Sequence, residues 1–217
     1  MKEHVRSIKR YARVRNYSFY FEKQDNFTKV SKPLFLKNQL DMYGEEEWLV
    51  WLDSDMQVMN FSQTIESLIP NECDFIVQND EKTMNTGFMI LKRNSKDVRE
   101  IIEKWLFFFA TNPQTLFDQN PLQEAILHYA LEDATSNHLC PNIVTAERSC
   151  YNQTLGAHGY DFKHRQRMKR VCSLDLPINM KESRGYCTGD FLRHEASSTN
   201  FLFIKVNNIV KKLRGFC

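Results

Sequence analysis

Hydrophobic positions in the first half of the chain alternate between helical and extended spacing, which predicts a layered α/β domain. Residues 2–15 are charged but keep apolar positions near helical spacing, and residues 17–21 form an aromatic run typical of a strand. Residues 30–40 again show helical spacing. The pattern therefore predicts helix, strand and helix in that order.

The run WLVWL at residues 48–52 is apolar on both faces. A strand that is solvated on one face would alternate, so we predict a central, fully buried strand here. Residues 74–78 and 87–91 are short runs rich in Phe, Ile, Val and Met and are predicted as further strands.

Two later segments carry helix signals. Ser95 is placed to cap a helix with a broad apolar face. Asn120 as N-cap, with Pro121 at the first helical position, predicts another helix and places Asp118 and Gln119 in the loop before it. Residues 201–213 are predicted to form a closing helix.

Composition restricts the class of protein. The chain has 217 residues, 42% of them hydrophobic and 26% charged, which excludes a disordered chain and suits one domain over residues 1–217. The formal net charge is +2, so no nucleic-acid or anionic-membrane partner is predicted, and basic tracts such as Lys9-Arg10 are interpreted as solvated surface. The longest apolar run, residues 105–110, is far too short for a membrane span, and residues 1–17 resemble no signal or anchor.

Cysteines and sequons instead favour an oxidising compartment. The C-terminal part holds most of the cysteines, which predicts disulfides that clip this region. These cysteines are Cys140, Cys150, Cys172, Cys187 and Cys217. Asn-x-Ser/Thr sequons occur at Asn16, Asn26, Asn60 and Asn152.

Candidate chemistry begins where the buried strand ends, at Asp53-Ser54-Asp55. Ligands of open α/β sheets bind beyond the carboxyl ends of the strands. Two acids beside an apolar strand require a neutralising cation, and Mg²⁺ or Mn²⁺ completed by a diphosphate is the simplest source. The alternative interpretation is a solvated turn in which Asp53 caps the next segment.

Four motifs follow one another along the chain: WLVWLDSDMQVMN at 48–60, NTGFMILKRNS at 85–95, DQNPLQEAI at 118–126 and DFLRHEASS at 190–198. Together they resemble the nucleotide-sugar-dependent glycosyltransferases of the GT-A fold. The likeness is to the retaining family that includes fungal and plant galactosyl-, mannosyl- and xylosyltransferases and related nematode proteins. The resemblance implies a GT-A-like (Rossmann-like) mixed sheet flanked by helices.

The resemblance also implies roles for single residues. Asp55 and His194 would bind the Mn²⁺ or Mg²⁺ ion, and Asp53 would reach either the metal or the ribose of the donor. Asp118 and Gln119 would lie at the anomeric carbon, although a helix cap is the alternative for them. The donor pocket would be formed by Asp53, Ser54, Asn85, Thr86 and Gly87, the last three of which could also be an ordinary turn.

The implied reaction is metal-dependent transfer of a hexose or pentose from a UDP- or GDP-linked sugar to a glycan hydroxyl, with retention of configuration, in the Golgi or ER lumen. Relatives begin with one more strand and a membrane anchor, so we expect a domain that is shortened at its N-terminus. A degenerate, non-catalytic homologue is the alternative. A phosphatase of the haloacid dehalogenase type is disfavoured because Gln57 stands where those enzymes have Thr or Val.

Overall fold

The structure is a computed structural model, and we describe residues 2–22, 28, 30–42, 47–79, 84–111, 118–131, 167, 169–174, 192–194 and 201–206. The helices are α1 (Lys2–Arg15), α2 (Ser31–Asp41), α3 (Lys96–Thr111) and α4 (Gln119–Leu131), with a short 3-10 helix at Glu66–Leu68. The strands are β1 (Ser18–Glu22), β2 (Trp48–Asp53), β3 (Met56–Val58), β4 (Phe75–Asn79), β5 (Met84–Lys92), β6 (Val171–Leu174), β7 (Leu192–His194) and β8 (Phe201–Val206).

Six strands form one mixed sheet in the order β1-β8-β2-β5-β4-β6, and β3 pairs with β7 in a separate two-stranded sheet. All neighbours in the large sheet are antiparallel except β4 and β6. Because β8 is antiparallel to both β1 and β2, those two strands run parallel to each other with β8 between them. The mixed α/β architecture with flanking helices is confirmed.

Strand β2 separates two hydrophobic clusters. Leu49 and Trp51 face the cluster that includes residues of α2, α3 and α4, whereas Val50 and Leu52 face the cluster that includes residues of α1 and β3. Residues 48–52 are at most 5% exposed, so the predicted central buried strand is confirmed. The alternation lets one strand supply apolar side chains to both layers.

The predicted strand at 74–78 is β4, shifted by one residue, and the predicted strand at 87–91 lies within β5. The predicted Ser95 cap is also confirmed. The Oγ of Ser95 accepts a hydrogen bond from the Val98 N–H at 3.3 Å. Helix α4 begins at Gln119, earlier than predicted, so Asn120 lies inside the helix and is not its N-cap. Gln119 therefore belongs to the first turn, and Asp118 directly precedes it.

The predicted closing helix is wrong for residues 201–206, which form β8. Phe201, Phe203, Ile204 and Val206 are residues that favour extended backbone, and the segment has strand partners on both sides. Tertiary pairing therefore decides the conformation over the short helical spacing of the sequence. Residues 207–213 lie outside the described part.

A disulfide joins Cys73, next to the start of β4, to Cys172 in the neighbouring strand β6. Their Cα atoms are 5.8 Å apart and they are separated by 99 positions in sequence. The expectation that disulfides form is confirmed for Cys172, but its partner is Cys73 rather than another C-terminal cysteine. The remaining cysteines, Cys140, Cys150, Cys187 and Cys217, lie outside the described residues.

None of the helices that the structure describes is long and apolar enough to cross a bilayer.

Candidate active site

The acidic motif lies at the carboxyl end of β2, as its position in the sequence suggests. Asp53 is the last residue of β2, Ser54 and Asp55 form a tight turn, and β3 begins at Met56. Ser54 is fully buried and Asp55 is only 6% exposed. A solvated turn would leave Asp55 open to water, so this alternative does not fit the structure.

Lys32, in the first turn of α2, reaches the same place and was not identified from the sequence. Its Nζ lies 3.1 Å from Asp53 Oδ1 and 2.6 Å from Asp118 Oδ2. It also donates hydrogen bonds of 3.3 Å to the carbonyl oxygen and the Oγ1 of Thr86. One ammonium group thus joins α2, β2, β5 and the start of α4.

The electrostatics of this cluster are those of one cation shared by two carboxylates. Burial acts to lower the pKa of Lys32, but the charges of Asp118 and Asp53 outweigh it and raise that pKa above its ordinary value. Burial, together with Asp118 and Asp55, raises the pKa of Asp53, although Lys32 opposes this shift. Lys32 is therefore a fixed positive charge, and the three acids together exceed it.

Two indole groups anchor the acidic residues, one through a carboxylate and the other through the backbone. Trp51 Nε1 donates to Asp53 Oδ1 at 2.8 Å, and Lys32 Nζ lies 5.5 Å from the Trp51 ring centroid. Trp105 Nε1 donates to the backbone carbonyl of Asp118 at 3.0 Å. These contacts fix the position of the acidic groups before any ligand binds.

The segment Asn85-Thr86-Gly87 lies in β5, directly beside the end of β2. Its three residues are buried or nearly so. The Gly87 N–H donates to Asn85 Oδ1 at 2.7 Å. A Cβ at position 87 would lie 2.7 Å from Met56 Cε and 2.8 Å from that oxygen, so glycine allows β5 to pass close to both.

His194 is brought to this region by backbone pairing. In the β3–β7 ladder, His194 lies opposite Met56, the residue after Asp55. Opposed Cα atoms of antiparallel strands are about 4.5–5.5 Å apart. The side chain of His194 lies outside the described part, and within that part no three His, Cys, Asp or Glu side chains meet as a metal site.

Comparison with known protein families gives a match for the first part of the chain. The sequence model of the galactosyl transferase GMA12/MNN10 family matches residues 1–72, which include α1, α2, Lys32 and the Asp53-Ser54-Asp55 turn. This match supports a glycosyltransferase assignment. The resemblance to a glycosyltransferase family is therefore confirmed, over about a third of the 217 residues. Neither a curated protein nor a solved structure matches the chain.

The structure thus gathers Asp53, Thr86 and Asp118 around Lys32, places Asn85 and Gly87 beside them, and leaves Gln119 partly exposed in the first turn of α4.

Sequence reasoning missed Lys32 because a single lysine among apolar positions looks like a solvated residue of an amphipathic helix. The one local signal was its place before Pro33, where the first turn of a helix faces the ends of the strands.

Proposed function

We propose that this chain transfers a hexose or pentose from a nucleotide diphosphate sugar to a glycan hydroxyl, with retention of anomeric configuration and dependence on a divalent cation. The observation that carries the proposal is the convergence of Asp53, Asp55 and Asp118 with Lys32 at the carboxyl end of a buried strand. The family match over residues 1–72 supports glycosyl transfer in general. A GT-A-type fold is compatible with the mixed sheet.

The side chains proposed as metal ligands suit a hard or borderline divalent cation. Lys32 compensates Asp53 and Asp118, and Asp55 is buried in the turn that follows Asp53. Asp55 and His194 would hold the cation, and Asp53 would face the ribose or the same ion. As a Lewis acid, the bound cation would supply stabilisation of the negative charge on the diphosphate leaving group.

The other side chains act on the sugar. Asp118 lies just before the first turn of α4 and would face the positive charge that develops at the anomeric carbon. Its ion pair with Lys32 at 2.6 Å lowers its reactivity as a nucleophile, so an electrostatic role fits it better than a covalent one. Asn85, Thr86 and Gly87 would line the pocket for the donor sugar, and Gln119 would orient the sugar from the helix.

Donor hydrolysis is the direct test of this function. The protein is incubated with Mn²⁺ and single UDP- or GDP-linked hexoses and pentoses, and the released nucleoside diphosphate is measured. We expect turnover with at least one donor, a retained anomer in the product by NMR, and a loss of about 10²–10³-fold in Asp118→Asn, since the charge facing the reacting carbon is removed.

Asp41→Asn is the matched control, because Asp41 is an exposed acid on α2 that pairs with Lys37 at 2.7 Å. This variant is expected to turn over donor at the wild-type rate. Absence of release with every donor, or an equal rate in Asp118→Asn and wild type, would contradict the proposed function.

A further inference from the structure

The positive charge of this chain is concentrated in α1. Of the fourteen residues of α1, six are Lys or Arg and one is Glu, so the helix carries a net charge of +5. The whole chain carries +2, which leaves −3 for all the other residues. The near-neutral total therefore hides a strong local charge, which the composition alone does not reveal.

The basic residues of α1 form a stripe on its solvent face. Positions i, i+3, i+4 and i+7 of a helix lie on one side, and the stripe extends about 10 Å along the axis. The opposite side of the helix, with Ile8 at 0% exposure, packs against the sheet. The exposed residues of this basic stripe are Arg6, Lys9, Arg10 and Arg13.

The described part of the chain provides no carboxylate partner for the basic stripe. Arg10 lies over the Phe61 ring at 5.3 Å from its centroid, and no ion pair joins any of the four residues to a described acid. Like charges at these spacings repel one another and destabilise the helix by a few tenths of a kcal/mol per pair. An anion bound along the stripe would relieve that repulsion.

Helix α1, which carries the basic stripe, is held against the strand that follows the acidic turn of the candidate active site. Ser7 Oγ accepts a hydrogen bond of 3.1 Å from the Val58 N–H, so the first half of α1 is held against β3. Val58 is three residues after Asp55, a distance of about 10 Å along an extended chain. A long ligand that follows α1 can therefore reach the site with one of its ends.

We infer that the basic stripe of α1 binds an acidic glycan, with carboxylate, sulfate or phosphodiester groups, as part of the acceptor. This inference rests on the proposed function for the link to the acceptor.

Bilayer insertion would need the apolar side of α1, which is already buried in the core. Single-stranded nucleic acids are usually bound by exposed aromatic residues among the basic ones, but the one aromatic residue of α1, Tyr11, is 0% exposed.

Binding of heparin oligosaccharide, a sulfated probe, tests the inference by fluorescence anisotropy at several salt concentrations. The test variant carries Arg6→Gln, Lys9→Gln and Arg13→Gln; Arg10 is kept because of its contact with Phe61. The control variant carries Lys96→Gln, Lys104→Gln and Lys169→Gln, which removes the same charge from elsewhere on the surface. We expect affinity to fall at least tenfold in the test variant, with a weaker salt dependence, and less than about twofold in the control.

Three results would overturn the inference: equal loss in both variants, tighter binding to anionic phospholipid vesicles than to heparin, or tighter binding to a DNA oligonucleotide. UDP binding in the presence of Mn²⁺ is measured in the same variants, and we expect no change because the stripe does not contact the acids. If heparin binding depends on α1 but UDP does not bind, the anion-binding stripe is supported and the proposed function is rejected. If UDP binds but heparin does not, the proposed function is supported and the inference about the stripe is rejected.

Discussion

Replacing Lys32 with methionine is expected to lower the free energy of unfolding by about 2–4 kcal/mol, because it leaves two partly buried carboxylates without their cation. Methionine retains most of the volume and the apolar stem, so the loss measures the charge rather than a cavity. Chemical denaturation followed by circular dichroism gives this difference. The same change at Lys37, which pairs with Asp41 on the surface of α2, is expected to cost about 0.5 kcal/mol or less.

The pH dependence of the Lys32→Met variant separates charge from packing. Without Lys32, the pKa of Asp53 in the folded protein should rise further above its value in the unfolded chain, because the Lys32 charge no longer opposes burial and the neighbouring acids. Groups with a raised folded pKa favour the native state below the unfolded pKa, and this contribution is lost as pH rises through the folded pKa. The difference in free energy of unfolding between wild type and Lys32→Met should therefore become smaller as pH is lowered toward about 4. Adding Asp118→Asn to Lys32→Met should recover part of the lost stability at neutral pH.

A loss of unfolding free energy below about 1 kcal/mol in Lys32→Met, or a loss that does not change with pH, would contradict the account of Lys32 as the shared cation of the site.

Loss of the Cys73–Cys172 disulfide is expected to lower the free energy of unfolding by about 2–5 kcal/mol. The cross-link closes a loop of 99 residues, and the entropy removed from the unfolded chain grows with loop length. It also ties the start of β4 to β6, its parallel neighbour in the sheet. Denaturation of a Cys73→Ser, Cys172→Ser double variant measures the effect.

Reductant supplies the control for this experiment. Wild-type protein in dithiothreitol should approach the stability of the double variant, and dithiothreitol should change the double variant much less than it changes wild type. A free thiol count that includes both Cys73 and Cys172 in protein made in an oxidising compartment would contradict the cross-link.

The order of most elements can be predicted from the sequence because local patterns and burial agree. Residues 48–52 are apolar on both faces, and only a central strand satisfies such a pattern with helices above and below it. Helix α3 is predicted because Ser95 supplies a cap and one side of the following turns is apolar. Residues 201–206 were mispredicted because their conformation depends on pairing with β1 and β2, which are more than 140 residues away.

The candidate site could be predicted only in part, for a related reason. The acids at Asp53 and Asp55 are visible because they directly follow a buried strand. Lys32 is not visible, since its role depends on a fold that places the first turn of α2 against Asp53, Thr86 and Asp118. The sequence therefore indicates that a cation is needed, and the structure adds that one cation belongs to the chain itself.

Binding of UDP in the presence and absence of Mn²⁺, measured by isothermal titration calorimetry, tests the central claim most directly. The account predicts that wild-type protein binds UDP with Mn²⁺ and much more weakly without it, and that Asp55→Ala abolishes the effect of the metal while Asp41→Ala retains it. Metal-independent UDP binding, absence of binding, or equal metal-dependent binding in wild type and Asp55→Ala would contradict it.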